Sequence, residues 1–154
     1  MNYELRIKNY GFTLIELLVV ISIIGVLVGL AIFGLQGSRE GARDAKRKAD
    51  LELVRSGLEL YKSDCRAYPT TNIFSGTSLK GSGTPAACAT TNTYISQIPK
   101  DADPGRLYAY RTPDVGKTYV VCTSLENGAS AISDCTGLSC GGAGKPCNYA
   151  VKNP

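Results

Sequence analysis

An uninterrupted apolar segment near the N-terminus restricts what this 154-residue chain can fold into. The 24 residues from Phe12 to Leu35 include one charge, Glu16, and no proline. At 1.5 Å per residue they would form about 36 Å of helix, enough to cross a hydrocarbon layer of roughly 30 Å. Arg6 and Lys8 precede the segment, and positive charge there favours a cytoplasmic N-terminus. The sequence therefore predicts a single-pass membrane protein whose C-terminal part is extracytoplasmic.

Composition argues against catalysis. Histidine is absent, which removes the commonest general base and the commonest metal ligand. No nucleophile motif or phosphate-binding motif is recognised. The net charge of +4 is too small to predict nucleic acid as a partner. We therefore expect a protein that is not an enzyme, with no cofactor and no metal.

The cysteines suggest an oxidising compartment. All six lie beyond the apolar segment, at Cys65, Cys88, Cys122, Cys135, Cys140 and Cys147. An even count in a small polar region with few large aliphatic residues favours a disulfide framework. The alternative is a zinc site, but the spacings do not match the paired C-x2-C knuckles of structural zinc. Many connectivities are open; the preferred pairs are Cys122–Cys135 and Cys140–Cys147, which leaves Cys65–Cys88.

The junction before the apolar segment reads Gly11-Phe12-Thr13-Leu14-Ile15-Glu16. With the following run LLVVISIIGVL, it resembles the processing site of the type IV pilin and type II secretion pseudopilin family, in which a basic leader ends in Gly. The resemblance implies that residues 1–11 are a leader and that prepilin peptidase cuts before Phe12 and methylates its amine. The alternative is an uncleaved signal anchor.

Glu16 is a carboxylate inside the predicted membrane segment, where a charge costs on the order of 2.5–3.5 kcal/mol. The resemblance implies that Glu16 faces the N-terminal amine of a neighbouring subunit in a filament. The alternative is that Glu16 reaches the membrane interface and has no function. Gly25 and Gly29 form a small-xxx-small pair that would allow close helix packing, although glycine is also simply common in membrane helices.

No proline occurs before Pro69, so one helix is expected from Phe12 to about Ser63. Its outer part, residues 36–63, is amphipathic. One apolar stripe contains Ala42, Ala45, Ala49, Leu53, Gly57 and Leu60, and Leu51, Val54, Leu58 and Tyr61 widen it on an adjacent side. A basic run follows residue 38, made of Arg39, Arg43, Lys46, Arg47 and Lys48, with Glu40 and Asp44 among them. We expect this run to be a solvated helix face rather than a site for DNA or lipid headgroups.

Residues 64–154 are predicted to form the extracytoplasmic head. Residues 70–93 look like a long loop, Leu107–Arg111 and Lys117–Thr123 like a β-hairpin, and residues 127–154 like an irregular, disulfide-tied loop. The segments YISQIPKDADPGRLYAYR and TYVVC are similar to those of the major pseudopilin and of compact pilins. The calcium loop of the pseudopilin is not evident, because Glu126 and Asp134 are too far apart to form an oxygen cage. We expect no calcium site.

These observations predict an α+β, pilin-like fold with a long N-terminal helix packed on a small antiparallel head. The preferred function is a subunit of a type IV pilus-like surface filament. The alternatives are a type II secretion pseudopilin and a membrane-anchored binding domain. The resemblance implies as partners further copies in a helical filament, prepilin peptidase, the inner-membrane assembly machinery and, before assembly, membrane lipid. It places the subunit first in the cell membrane and then on the cell surface.

Overall fold

The computed structural model describes residues 11–153, except for the side chains of residues 33–36. Most of the predicted leader, residues 1–10, lies outside the described residues. The described chain forms two compact units that divide between Arg39 and Glu40. We describe each unit by itself.

A single long helix, α1, runs from Leu14 to Cys65. It begins and ends two residues later than the sequence predicted. The helix ends where Arg66 adopts a left-handed backbone with φ of 65°, which is a common helix terminus. In the part of the chain that the structure describes, α1 is the one helix long and apolar enough to cross a membrane. Its large apolar side chains between Leu14 and Ile32 are exposed within this unit.

The second unit contains two small antiparallel sheets. In the first, β1 (Leu79–Lys80) pairs with β2 (Thr93–Ile95). In the second, β3 (Ala109–Arg111), β4 (Val120–Thr123) and β5 (Tyr149–Lys152) lie in the order β3-β4-β5. The predicted hairpin is therefore present as β3 and β4, with shorter strands. The prediction that residues 127–154 are entirely irregular was wrong, because β5 pairs with β4 over four residues.

The core of the head lies between α1 and the two sheets. Leu51, Val54, Leu58 and Tyr61 of the helix are buried in one cluster with Tyr119 and Val121 of the hairpin, among others. Gly57 allows the helix to approach β2 closely, because a Cβ there would lie 2.3 Å from Cγ1 of Ile95. The residues that were expected to widen the apolar stripe thus form the buried face of the helix. Of the stripe itself, Gly57 is buried, whereas Leu53 and Leu60 are exposed.

All six cysteines are paired in the structure. The disulfides join Cys65 to Cys88, Cys122 to Cys135 and Cys140 to Cys147, which are the pairs that the sequence analysis preferred. The first ties the end of α1 to the segment before β2, and the second ties β4 to the loop that follows it. The third closes a short loop before β5. These bridges reinforce a head whose apolar core is small.

Candidate assembly site

The start of α1 contains a capping arrangement that the sequence analysis missed. The backbone N–H and the hydroxyl of Thr13 both donate to Oε2 of Glu16, at 2.9 and 2.7 Å, and the backbone N–H of Glu16 donates to Oγ1 of Thr13 at 3.4 Å. This is the reciprocal pattern of a capping box, in which Ser or Thr is followed three residues later by Glu. The sequence Thr-Leu-Ile-Glu has the spacing of a capping box and could have predicted it.

Glu16 therefore has a partner within its own chain. Its two hydrogen bonds from Thr13 use one carboxylate oxygen, and a carboxylate can accept further donors. Gly11 and Phe12 precede the helix, and the Phe12 side chain is exposed. Cleavage before Phe12 and pairing of Glu16 with a neighbouring amine both stay predictions.

The two glycines proposed for helix packing contact no other segment in this single chain. A Cβ added at Gly25 or Gly29 would meet nothing within 4 Å. Such positions give a smooth surface against which another helix can pack. The packing role of these glycines stays a prediction, since it needs a partner helix.

An apolar face of α1 remains uncovered in the head. It contains Ala42, Ala45, Ala49, Leu53 and Leu60, all exposed. Leu53 is 48% exposed and Leu60 is 59% exposed, although the opposite side of the same helix is buried. A helix that covers one core normally presents polar and charged residues on its other side. This face, called the outer apolar face below, therefore has the character of a contact surface.

The basic run on α1 is only partly a solvated face, and for one residue the expectation was wrong. The side chain of Arg47 is 3% exposed, because three carboxylates surround it. Its guanidinium donates to Asp101 at 2.6 and 3.2 Å and to Asp44 and Glu126 at 2.8 Å each. These four side chains, Asp44, Arg47, Asp101 and Glu126, are called the Arg47 cluster.

The charges of the Arg47 cluster are stabilised by hydrogen bonds. Two hydrogen bonds from Arg43 lower the pKa of Glu126 to about 2 against the opposing effect of burial, and Arg47 adds to the effect. Burial by itself raises the pKa of Asp44, but backbone N–H donors from Asn127 and Glu126, together with Arg47, outweigh it and lower that pKa. A carboxyl whose pKa is lowered on folding stabilises the folded state when the pH is above its ordinary pKa. The stabilisation from Glu126 is therefore complete above pH 4.5 and is lost as the pH falls towards 2.

The acidic residues considered for calcium have basic partners instead. Glu126 pairs with Arg43 and Arg47, and Asp134 pairs with Lys152 at 3.1 Å. Within residues 11–153, no group of three or more His, Cys, Asp or Glu side chains is placed to hold a metal ion.

A long N-terminal helix packed on a small antiparallel, disulfide-linked head defines a pilin-like α+β fold. Residues 6–34 match the prokaryotic N-terminal methylation motif, and residues 35–135 match the family described as type II secretion system (T2SS), protein G. The chain belongs to this protein G family.

Several proteins named type II secretion system core protein G are similar to this chain. The one from Escherichia coli K12 is 36% identical over 124 residues, which cover 79% of this chain and 77% of that protein. The one from Vibrio cholerae is 33% identical over 107 residues, covering 69% and 73%. The one from Dickeya chrysanthemi is 39% identical over 96 residues, covering 61% and 63%. No solved structure matches the chain significantly.

Proposed function

We propose that this protein is a pseudopilin, the repeating structural subunit of a short filament in a type II secretion system. The observation that carries the proposal is the outer apolar face of α1, which is exposed in the head although the opposite side of the same helix is buried. An isolated domain has no use for this exposed surface, whereas a subunit that packs against further copies does. The match to the protein G family supports this alternative better than the surface pilus preferred from sequence.

The proposal includes a route to assembly. The precursor is held in the membrane by the apolar half of α1 with its head outside the cytoplasm. Prepilin peptidase then cuts after Gly11, and the subunit leaves the membrane lipid for the growing filament through the assembly machinery of the secretion system. The role assigned is structural, and no reaction is attributed to the head.

A charge placed on the outer apolar face should stop export. We expect deletion of the gene in its native host to reduce secreted proteins in the medium, and wild-type protein to restore them. The double variant Leu53→Glu/Leu60→Glu should fail to restore secretion to the deletion strain, because a carboxylate buried between helices without a partner costs several kcal/mol. The head should still fold, since both side chains are exposed. The measurement is the amount of secreted protein in the medium.

The matched control is Leu107→Glu, which changes a leucine that is 56% exposed and lies off α1. It should restore export as wild type does. Export that survives deletion, accompanied by loss of long surface filaments in electron micrographs, would assign the chain to a pilus instead. Export restored by the double variant would remove the outer apolar face from the assembly contact.

Processing gives a separate expected result. Protein extracted from the native membrane should have the mass of a chain that starts at Phe12 and carries one added methyl group. Intact-mass measurement checks this, with a Gly11→Leu variant as the uncleaved reference. A wild-type chain that retains residues 1–11 would contradict the proposed route.

A further inference from the structure

The loop from Glu126 to Asn148 contains three of the six cysteines and is closed at its base by one side chain. The backbone N–H of Leu125 donates to Oδ1 of Asn148 at 2.7 Å, and Nδ2 of Asn148 donates to the carbonyl of Leu125 at 3.1 Å. The backbone N–H of Asn148 donates to the carbonyl of Thr123. The two ends of the loop are therefore held side by side at the end of β4.

A second attachment joins the start of this loop to α1. The two carboxylate oxygens of Asp44 accept the backbone N–H groups of Glu126 and Asn127, at 2.9 Å each. Arg47, one turn further along the helix, donates to Asp44 and to Glu126. The helix turn and the loop thus share the same buried charges.

The Arg47 cluster cannot open in part without leaving a charge unpaired. The side chain of Asp101 is 2% exposed and that of Asp44 is 9% exposed, so both carboxylates depend on Arg47 for compensation away from water. Removing one partner from a buried ion pair is strongly destabilising, because the remaining charge stays buried. The favourable alternative is to expose all of the charges together, which requires the helix turn to separate from both the start of the loop and Asp101.

We propose that the Arg47 cluster is a latch that makes the helix turn 43–47 and the start of the loop, residues 126–127, open and close as one unit. The latch lies in the first turns of the second compact unit, which begins at Glu40. Order at the start of the cysteine-containing loop therefore depends on an intact helix at this point, and the reverse also holds. This inference concerns the head alone and does not depend on the proposed role in secretion.

Hydrogen exchange of the full chain in detergent micelles tests the latch. In Arg47→Met, we expect the backbone amides in residues 43–47 and those in residues 126–127 to exchange at least tenfold faster, by similar factors. Amides of β3 and β4 should stay protected, because their ladder and apolar core are unchanged. The matched control is Arg55→Met, since Arg55 makes a 3.6 Å ion pair with Glu52 at the surface. It should change exchange in both segments less than twofold.

A milder variant keeps the test decisive if Arg47→Met loses protection throughout the head. Glu126→Gln keeps the size of the side chain and removes one charge of the cluster, and it should accelerate exchange in both segments together by a smaller factor. Faster exchange in only one of the two segments, in either variant, would overturn the latch. Unchanged exchange in both segments would overturn it as well.

Discussion

Replacing Glu16 with Ala should leave the protein in the membrane and out of the filament. Losing the carboxylate makes insertion easier by roughly 2.5–3.5 kcal/mol, so a simple membrane anchor would tolerate the change or gain from it. A filament subunit would leave the Phe12 amine of its neighbour in an apolar core without a counter-charge, and an unpaired buried charge costs about 3–5 kcal/mol. We expect the variant to be inserted and cut after Gly11. The measurement is the ratio of cross-linked multimers to monomer in membranes from cells that express the variant, with wild type alongside.

Glu16→Gln is the matched control, because the structure gives Glu16 a second possible role. The amide oxygen of Gln can accept the hydrogen bonds from Thr13 and so preserve the capping box, but it carries no charge. If the charge of Glu16 pairs with a neighbouring amine, the Gln variant should stay out of the filament as the Ala variant does. Normal assembly of the Gln variant with failure of Ala would assign Glu16 to capping alone. Normal assembly of both variants would remove Glu16 from the assembly site.

Removing the Cys65–Cys88 disulfide should destabilise the head more than removing either of the other two. The bridges span sequence separations of 23, 13 and 7 residues. Loop-closure entropy in the unfolded chain then predicts losses of roughly 3.4, 2.9 and 2.4 kcal/mol, respectively. The first bridge also anchors the last turn of α1, and both of its cysteines are buried. The measurement is urea unfolding of each double-alanine variant in detergent, followed by tyrosine fluorescence.

Wild-type protein treated with a reductant provides the reference for loss of all three bridges. Thiol counting on the denatured, unreduced wild type should find no free thiol, in agreement with the three bridges of the structure. A larger loss of stability from removing Cys140–Cys147 than from removing Cys65–Cys88 would contradict the entropic ranking. Several free thiols in the native protein would contradict the disulfide framework itself.

Features that depend on neighbouring residues could be predicted well from the sequence. The single helix follows from an apolar run and an amphipathic run with no proline between them. The β3–β4 hairpin follows from alternating residues on either side of a turn with Pro113 and Gly116. In both cases the interactions that form the element lie within a few residues, so the local pattern contains the information.

Other features depended on residues far apart in the chain. Arg47 was expected in solvent, but it is buried by Asp101 and Glu126, which are 54 and 79 residues away. The strand β5 was missed because its four residues have little pattern of their own and are ordered by pairing with β4. A buried charge or an added strand is decided by the partner that it meets, and local periodicity does not contain that partner.

The sequence by itself determined that α1 is long, apolar in its first half and amphipathic in its second. It did not determine which side of the second half faces the head. Two stripes on different sides of the helix were each apolar enough to be buried, and periodicity records only which residues share a side. The tertiary structure selected Leu51, Val54 and Leu58, because these side chains fit against Tyr119 and Val121 of the hairpin. Leu53 and Leu60 stayed exposed, and for that physical reason they form the surface on which we expect the next subunit to pack.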